Sequence, residues 1–174
     1  MSELVEHWYA FRIFRNGKKF FMDTIGNDGK RYFIPTRIKR TIKPNYKEDI
    51  IKEVLFSNLV FVRAEQKYIE HLSTNLRSLA GVYRNPDTGR IAQIPDAEMD
   101  TFIFVLTKGC EQLDVYEGEL KQHDRVRVTD GIFKGAEGYI ARIKGNRRFV
   151  VNINGVVAVA TAYIPQSMLQ KIND

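Results

Sequence analysis

The sequence predicts an α+β domain followed by a small closed β-barrel, and three observations carry that prediction. From the start of the chain to about residue 107, strand-like and helix-like apolar patterns alternate. From 121 onward, short alternating runs are separated by glycine turns, with no helical spacing left. Between them, 108–120 has little periodicity and several acids. The expected organisation is a front domain over 1–107 with helices packed on an antiparallel sheet, a linker over 108–120, and a back domain over 121–174.

His7 to Phe14 is aromatic-rich and partly alternating, which reads as a strand. Asn16-Gly17 turns the chain, and Lys18 to Ile25 forms a short helix that Gly26 is expected to end. Tyr32-Phe33-Ile34-Pro35 is a second strand closed by its proline, and the basic stretch from Arg37 to Lys47 reads as a hairpin or exposed loop. Val54-Leu55-Phe56 and Leu59-Val60-Phe61-Val62 bracket Ser57-Asn58, and together they predict one nearly continuous buried strand. Glu65 to Leu76 places Tyr68, Ile69, Leu72 and Leu76 on one helical face. A short strand at Gly81-Val82-Tyr83 precedes the turn Asn85 to Gly89. Asp96 then caps a last helix with Met99, Phe102, Ile103 and Leu106 inward and Gly109 at its end.

In the back domain, Arg125 to Val128 and Tyr139 to Ile143 alternate, and Phe149 to Ile153 makes another strand. Asn154-Gly155 is a hairpin signal, followed by Val156 to Ala162. Four or five short strands in about fifty residues argue for a small closed barrel.

Composition narrows the function classes. The 174 residues carry 27 Lys or Arg against 21 Asp or Glu, a net charge of +6. The excess is uneven: Arg12 to Lys47 holds eleven basic residues and two acids, the balance reverses to Leu120, and Lys121 onward is basic again. A basic strip suits nucleic acid, and equally a solvated protein face. No apolar run is long enough to span a bilayer, and the start lacks a leader pattern, so a cytoplasmic address without membrane contact is expected. Cys110, the one cysteine, excludes an internal disulfide. His7, His71 and His123 belong to no ligand spacing, and no nucleophile elbow or phosphate-cradling loop occurs. The expectation is a binding protein, not an enzyme, with no catalytic residue, metal site or cofactor.

The sharpest motif runs from Asp124 to Gly138, Asp-Arg-Val-Arg-Val-Thr-Asp-Gly-Ile-Phe-Lys-Gly-Ala-Glu-Gly. It resembles the KOW motif of SH3-like barrels. Gly131 and Gly135 suit tight turns, and Gly138 suits close strand approach. The front half, with Trp8-Tyr9-Ala10, Tyr32 to Pro35, Leu55 to Val62, Gly81-Val82 and Ile94-Pro95-Asp96 in that order, is similar to the amino-terminal domain of the NusG family of transcription elongation and antitermination factors. The resemblance covers nearly the whole chain.

That resemblance implies a factor that binds RNA polymerase, bridges its clamp and the facing lobe, and suppresses pausing or termination. It places the clamp contact at Phe56, Leu59 and Phe61, where the family carries a Phe-Pro-Gly-Tyr segment; strand alternation would turn one of the two phenylalanines inward. It places the opposite-lobe contact at His71, Ser73 and Thr74, and contacts to non-template DNA at Arg15, Lys18 and Lys19. In the back domain it places the contact with a small-subunit ribosomal protein or Rho at Ile153 and Asn154, where relatives have Ile-Phe-Gly. Ser57-Asn58 in place of Pro-Gly, and Asn154 in place of the phenylalanine, point to a specialised paralog acting on long operons such as surface polysaccharide loci. The alternative reading is a KOW-containing RNA- or ribosome-binding protein, and an enzyme with a spatially assembled site is a third.

Overall fold

The computed structural model describes residues 5–109, 113–117, 124–143, 145–153, 155–160 and 164–172. The chain divides into two compact units, Met1–Pro35 with Phe56–Asp96, and Thr36–Leu55 with Ala97–Asp174.

The first unit is built on a four-stranded antiparallel sheet in the order β2-β5-β1-β6. Its central pair is β1 (Glu6–Ile13) and β5 (Leu59–Glu65), in register from Glu6↔Glu65 to Arg12↔Leu59. β2 (Arg31–Phe33) adds to β5, and β6 (Ala80–Val82) to β1. Alternation sends Tyr9, Phe11, Ile13, Val60, Val62 and Ala64 to one face. There they meet Phe21 and Ile25 of α1 (Lys18–Asn27) and Ile69 and Leu72 of α2 (Gln66–Asn75) in one buried cluster. The rings of Phe11 and Phe21 stand 5.1 Å apart and tilted, a favourable aromatic geometry.

α1 runs past Gly26, where the sequence suggested a stop. The left-handed position is Gly29 instead, with φ at 65°. Gly29 N–H donates to the Gly26 carbonyl and Lys30 N–H to that of Ile25, satisfying carbonyls the helix would leave open. Just beyond, Lys30 Nζ lies 2.9 Å from Glu65 Oε2 and over the Tyr68 ring, and the Tyr68 hydroxyl donates to Asp28 at 2.7 Å. This cluster ties the end of α1 to the junction of β5 and α2.

The expected single strand over 54–62 is two strands. Val54 ends β4, Ser57-Asn58 turns, and Leu59 begins β5. Serine and asparagine favour turns because their short polar side chains compete for backbone hydrogen bonds, and the Asn58 carbonyl accepts from Ile13 N–H. Among the described residues, β3 (Thr36–Ile42) and β4 (Glu48–Val54) pair only with each other, in register from Thr36↔Val54 to Ile42↔Glu48.

In the second unit α3 (Asp96–Gly109) matches its expected span, with Met99, Phe102 and Leu106 buried. A six-stranded antiparallel sheet follows the order β12-β8-β9-β10-β11-β7. Its strands are β7 (Asp114–Glu117), β8 (Arg125–Val128), β9 (Glu137–Ile143), β10 (Asn146–Ile153), β11 (Val157–Ala160) and β12 (Leu169–Lys171). β7 lies within the stretch expected to be a plain linker. It pairs with β11 from Asp114↔Ala160 to Glu117↔Val157, so main-chain pairing holds a segment whose side-chain pattern gave no strand signal.

The glycines of the KOW-like motif act as the sequence indicated. Gly131 and Gly135 have φ of 81° and 90°, and Gly135 N–H donates to the Val128 carbonyl. A Cβ on Gly138 would stand 2.4 Å from the Val150 carbonyl oxygen and 2.9 Å from the Phe149 ring. Across β8 and β9, Arg127 and Arg125 both bond Glu137, which holds its carboxyl below the ordinary glutamate range.

Two outcomes follow. Gly138→Ala forces backbone apart at β9–β10 and is expected to cost about 2 kcal/mol or more in urea unfolding. The hydrogen bond from Lys30 lowers the Glu65 pKa, so the folded carboxylate is favoured relative to the unfolded one. That stabilisation is full above the ordinary glutamate pKa of about 4.3 and is lost as pH falls through the lowered folded value. Lys30→Met removes it, and the variant's denaturant midpoint should decline less steeply than wild type below pH 5.

Candidate partner-binding surfaces

Strand alternation gives the first unit a second face. Trp8, Ala10 and Arg12 of β1 and Leu59, Phe61 and Arg63 of β5 turn away from the helices, with Arg31 and Phe33 of β2 beside them. The Phe33 and Phe61 rings are 6.4 Å apart, and the Arg31 guanidinium lies over the Trp8 ring at 5.8 Å. At one end Arg63 bonds Asp96 at 3.1 Å, and Ile94 N–H donates to the Trp8 carbonyl.

This face receives two of the three residues assigned to a clamp contact, and Phe56 precedes it in the turn. The three are not exposed: Phe56, Leu59 and Phe61 retain 7%, 4% and 0% of their surface. The expectation that one phenylalanine would be inward is corrected to both. Leu59 and Phe61, two residues apart, share one side of β5, and that side is closed to water.

The other front-domain residues are accessible to differing degrees. His71 and Thr74 are exposed and Ser73 is half-buried, all in the second half of α2. The His71 ring bonds the Asn75 amide, and the Thr74 hydroxyl donates to the Glu70 carbonyl. Both bonds span one helical turn, so this is ordered helix.

Arg15, Lys18 and Lys19 come together where a 3-10 turn (Arg15–Gly17) enters α1. The turn is tight because Gly17 packs on Leu79, whose Cβ and carbonyl oxygen would each stand 2.9 Å from an added Cβ. Arg15 takes a positive φ of 32°. Arg15 and Lys19 are exposed, and Lys18 is half-buried. Phe14 and Phe20, which no motif in the sequence marks, are also exposed around this turn. Cationic and aromatic groups side by side suit a single-stranded polynucleotide, whose phosphates and bases they can address separately. Their sequence signal was Phe14-Arg15 and Lys18-Lys19-Phe20, aromatics adjoining cations.

In the second unit Ile153 is fully buried at the end of β10, so this arrangement presents none of its surface to a partner. Asn154 lies outside the described residues. Beside Ile153, neither polar atom of the buried Asn152 amide has a hydrogen-bond partner among the described residues, a feature with no signal in the sequence. Among the described residues no helix is long and apolar enough to cross a membrane, and no three His, Cys, Asp or Glu side chains gather as a metal site would need.

Residues 6–103 match the family model described as "Transcription termination factor nusG". Relatives named transcription termination/antitermination protein NusG, from Streptococcus pyogenes serotypes M1 and M3, are 26% identical over 141 residues, covering 78% of this chain and 75% of theirs. A solved structure titled "Domain interaction in Thermotoga maritima NusG" is 19% identical and covers 97% of this chain and 98% of its own, with a TM-score of 0.45.

Burial makes a clear distinction among these residues. Phe61→Ala is expected to cost about 3–5 kcal/mol of stability, the usual range for a fully buried phenylalanine. His71→Ala, on an exposed helix surface, should stay within about 0.5 kcal/mol of wild type. Paired chemical denaturation curves read both.

Proposed function

The chain belongs to the NusG family of transcription factors, and we propose that it acts as an elongation and antitermination factor by joining two sides of RNA polymerase. The match of residues 6–103 to the family model carries this reading. The front domain, 1–107, makes the polymerase contacts. Phe56, Leu59 and Phe61 form the clamp-binding pocket, and His71, Ser73 and Thr74 reach the facing lobe. A factor bound to both sides favours the closed, elongating enzyme by differential affinity, which lowers the population of paused states.

Because the three pocket residues are nearly or fully buried, the atoms now covering them must yield before they can touch a partner. Engagement is therefore coupled to a local opening, and apparent affinity is reduced by the fraction of molecules that are open. Arg15, Lys18 and Lys19 meet the non-template strand, assisted by Phe14 and Phe20. This adds to the DNA-containing complex a salt dependence beyond that of the complex with polymerase alone.

The back domain, 121–174, recruits a small-subunit ribosomal protein or Rho only weakly. Its Ile153 is buried, and Asn154 stands where relatives have an aromatic anchor. With Ser57-Asn58 replacing Pro-Gly, this supports a specialised paralog serving long operons, such as those for surface polysaccharides.

The test compares binding to host core polymerase with binding to an assembled elongation complex. Wild type should bind both and raise readthrough of a pause or terminator. Arg15→Gln/Lys18→Gln/Lys19→Gln should bind the elongation complex about tenfold less tightly at low salt, with a shallower salt dependence, and the core enzyme as wild type does. A folded wild-type chain that binds neither would overturn the reading, and RNA binding by it would favour the RNA- or ribosome-binding alternative.

A further inference from the structure

The β3–β4 hairpin carries a surface that none of these roles uses. Pairing at Thr36↔Val54, Ile38↔Lys52, Arg40↔Ile50 and Ile42↔Glu48 puts those eight residues on one side of the ribbon. Val54, Ile38, Ile50 and Ile42 run along that side and are all exposed, Ile50 at 66% and Ile42 at 74%. The opposite side is anchored: Arg37 bonds Glu53 at 2.7 Å and the Leu113 carbonyl at 3.0 Å, and Lys43 pairs with Asp49. A two-stranded ribbon is marginal by itself, and exposing its aliphatic side adds nothing to its stability.

The tip adds an independent sign. Tyr46 closes the turn with φ at 61°, a left-handed conformation that glycine or asparagine adopts with least strain. The turn is well formed, with Lys43 N–H donating to the Lys47 carbonyl and Tyr46 N–H to that of Lys43. Tyr46 is 92% exposed, in the turn that joins the two strands. A tyrosine where the backbone favours glycine, with its ring in water, carries a strain that its exposed ring does not offset within the hairpin.

We propose that this face is a second docking surface for RNA polymerase, fitting an apolar protein groove rimmed by carboxylates; the proposal rests on the polymerase-binding reading above. Aliphatic side chains gain nothing from phosphates, which argues for protein over nucleic acid. The charge on this face is basic, Arg40 and Lys52 outnumbering Glu48, which suits a partner surface rimmed by carboxylates. Ile42, Ile50 and Tyr46 are the anchors, and Arg40 and Lys52 meet the acidic rim.

The experiment uses the full chain and host core polymerase without DNA, with thermal melts alongside. Wild-type binding is measured first, because its absence removes the underlying reading and this proposal together. Given wild-type binding, Tyr46→Gly should melt no lower than wild type yet bind at least fivefold more weakly, so that stability and affinity separate. Ile42→Thr/Ile50→Thr keeps β-branched residues in the strands and should bind about tenfold more weakly. Ile51→Thr, on the anchored side, should bind as wild type, and added salt should weaken the wild-type complex. Core-enzyme affinity unchanged in both face variants would overturn the proposal, as would a loss that appears only when DNA is present.

Discussion

The antiparallel pairing of β1 with β5 is the constraint on which the rest of the first unit depends. Its register, Tyr9 opposite Val62 and Ala10 opposite Phe61, sorts every residue of both strands to one of two faces. A shift of one residue would exchange the two sets, moving Tyr9, Phe11, Val60 and Val62 away from α1 and α2 and placing Arg12 and Arg63 beneath the helices. The apolar alternation of both strands therefore fixes the register. The register in turn decides that Leu59 and Phe61 share the face away from the helices.

The same register explains why one stretch of sequence serves two purposes. β5 contributes Val60, Val62 and Ala64 to the main core and Leu59 and Phe61 to the second face. Stability and the candidate clamp pocket thus occupy adjacent positions of one strand, and substitutions there act on both. The basic turn at Arg15 to Lys19 and the helix face at His71 and Thr74 lie on exposed ends of elements packed against this sheet. They can change with little effect on the core. The candidate apolar contact thus lies on a strand and the candidate polar ones on helix ends and turns, where a fixed scaffold positions surface groups.

Insertion of the β3–β4 hairpin between β2 and β5 shows a different solution. Its strands pair only with each other, so its exposed face is free of the alternation that governs the central sheet. The sequence from Thr36 to Val54 alternates weakly, with basic residues among isoleucines. Composition alone could read that as a solvated basic loop. The pairing turns it into an apolar stripe on one side and ion pairs on the other.

Local chemistry was enough to specify much of the molecule. Helical spacing of Ile69, Leu72 and Leu76 fixed α2, the Asp96 start and Gly109 end fixed α3, and Gly131, Gly135 and Gly138 fixed the turns and close approach in the second unit, because each depends on residues adjacent in sequence or on a backbone conformation open chiefly to glycine. The helix stop at Gly29 rather than Gly26, and the division of 54–62 at Ser57-Asn58, depended on which local hydrogen bonds prevailed. Other features were decided only by tertiary structure. β7 is a strand because β11 offers it an edge, Phe56, Leu59, Phe61 and Ile153 are buried because of what surrounds them, and the hairpin's apolar stripe exists because of a pairing register. Burial and strand pairing are properties of residues distant in the chain, so a local pattern names the candidate side chains while only the assembled fold decides which of them face water.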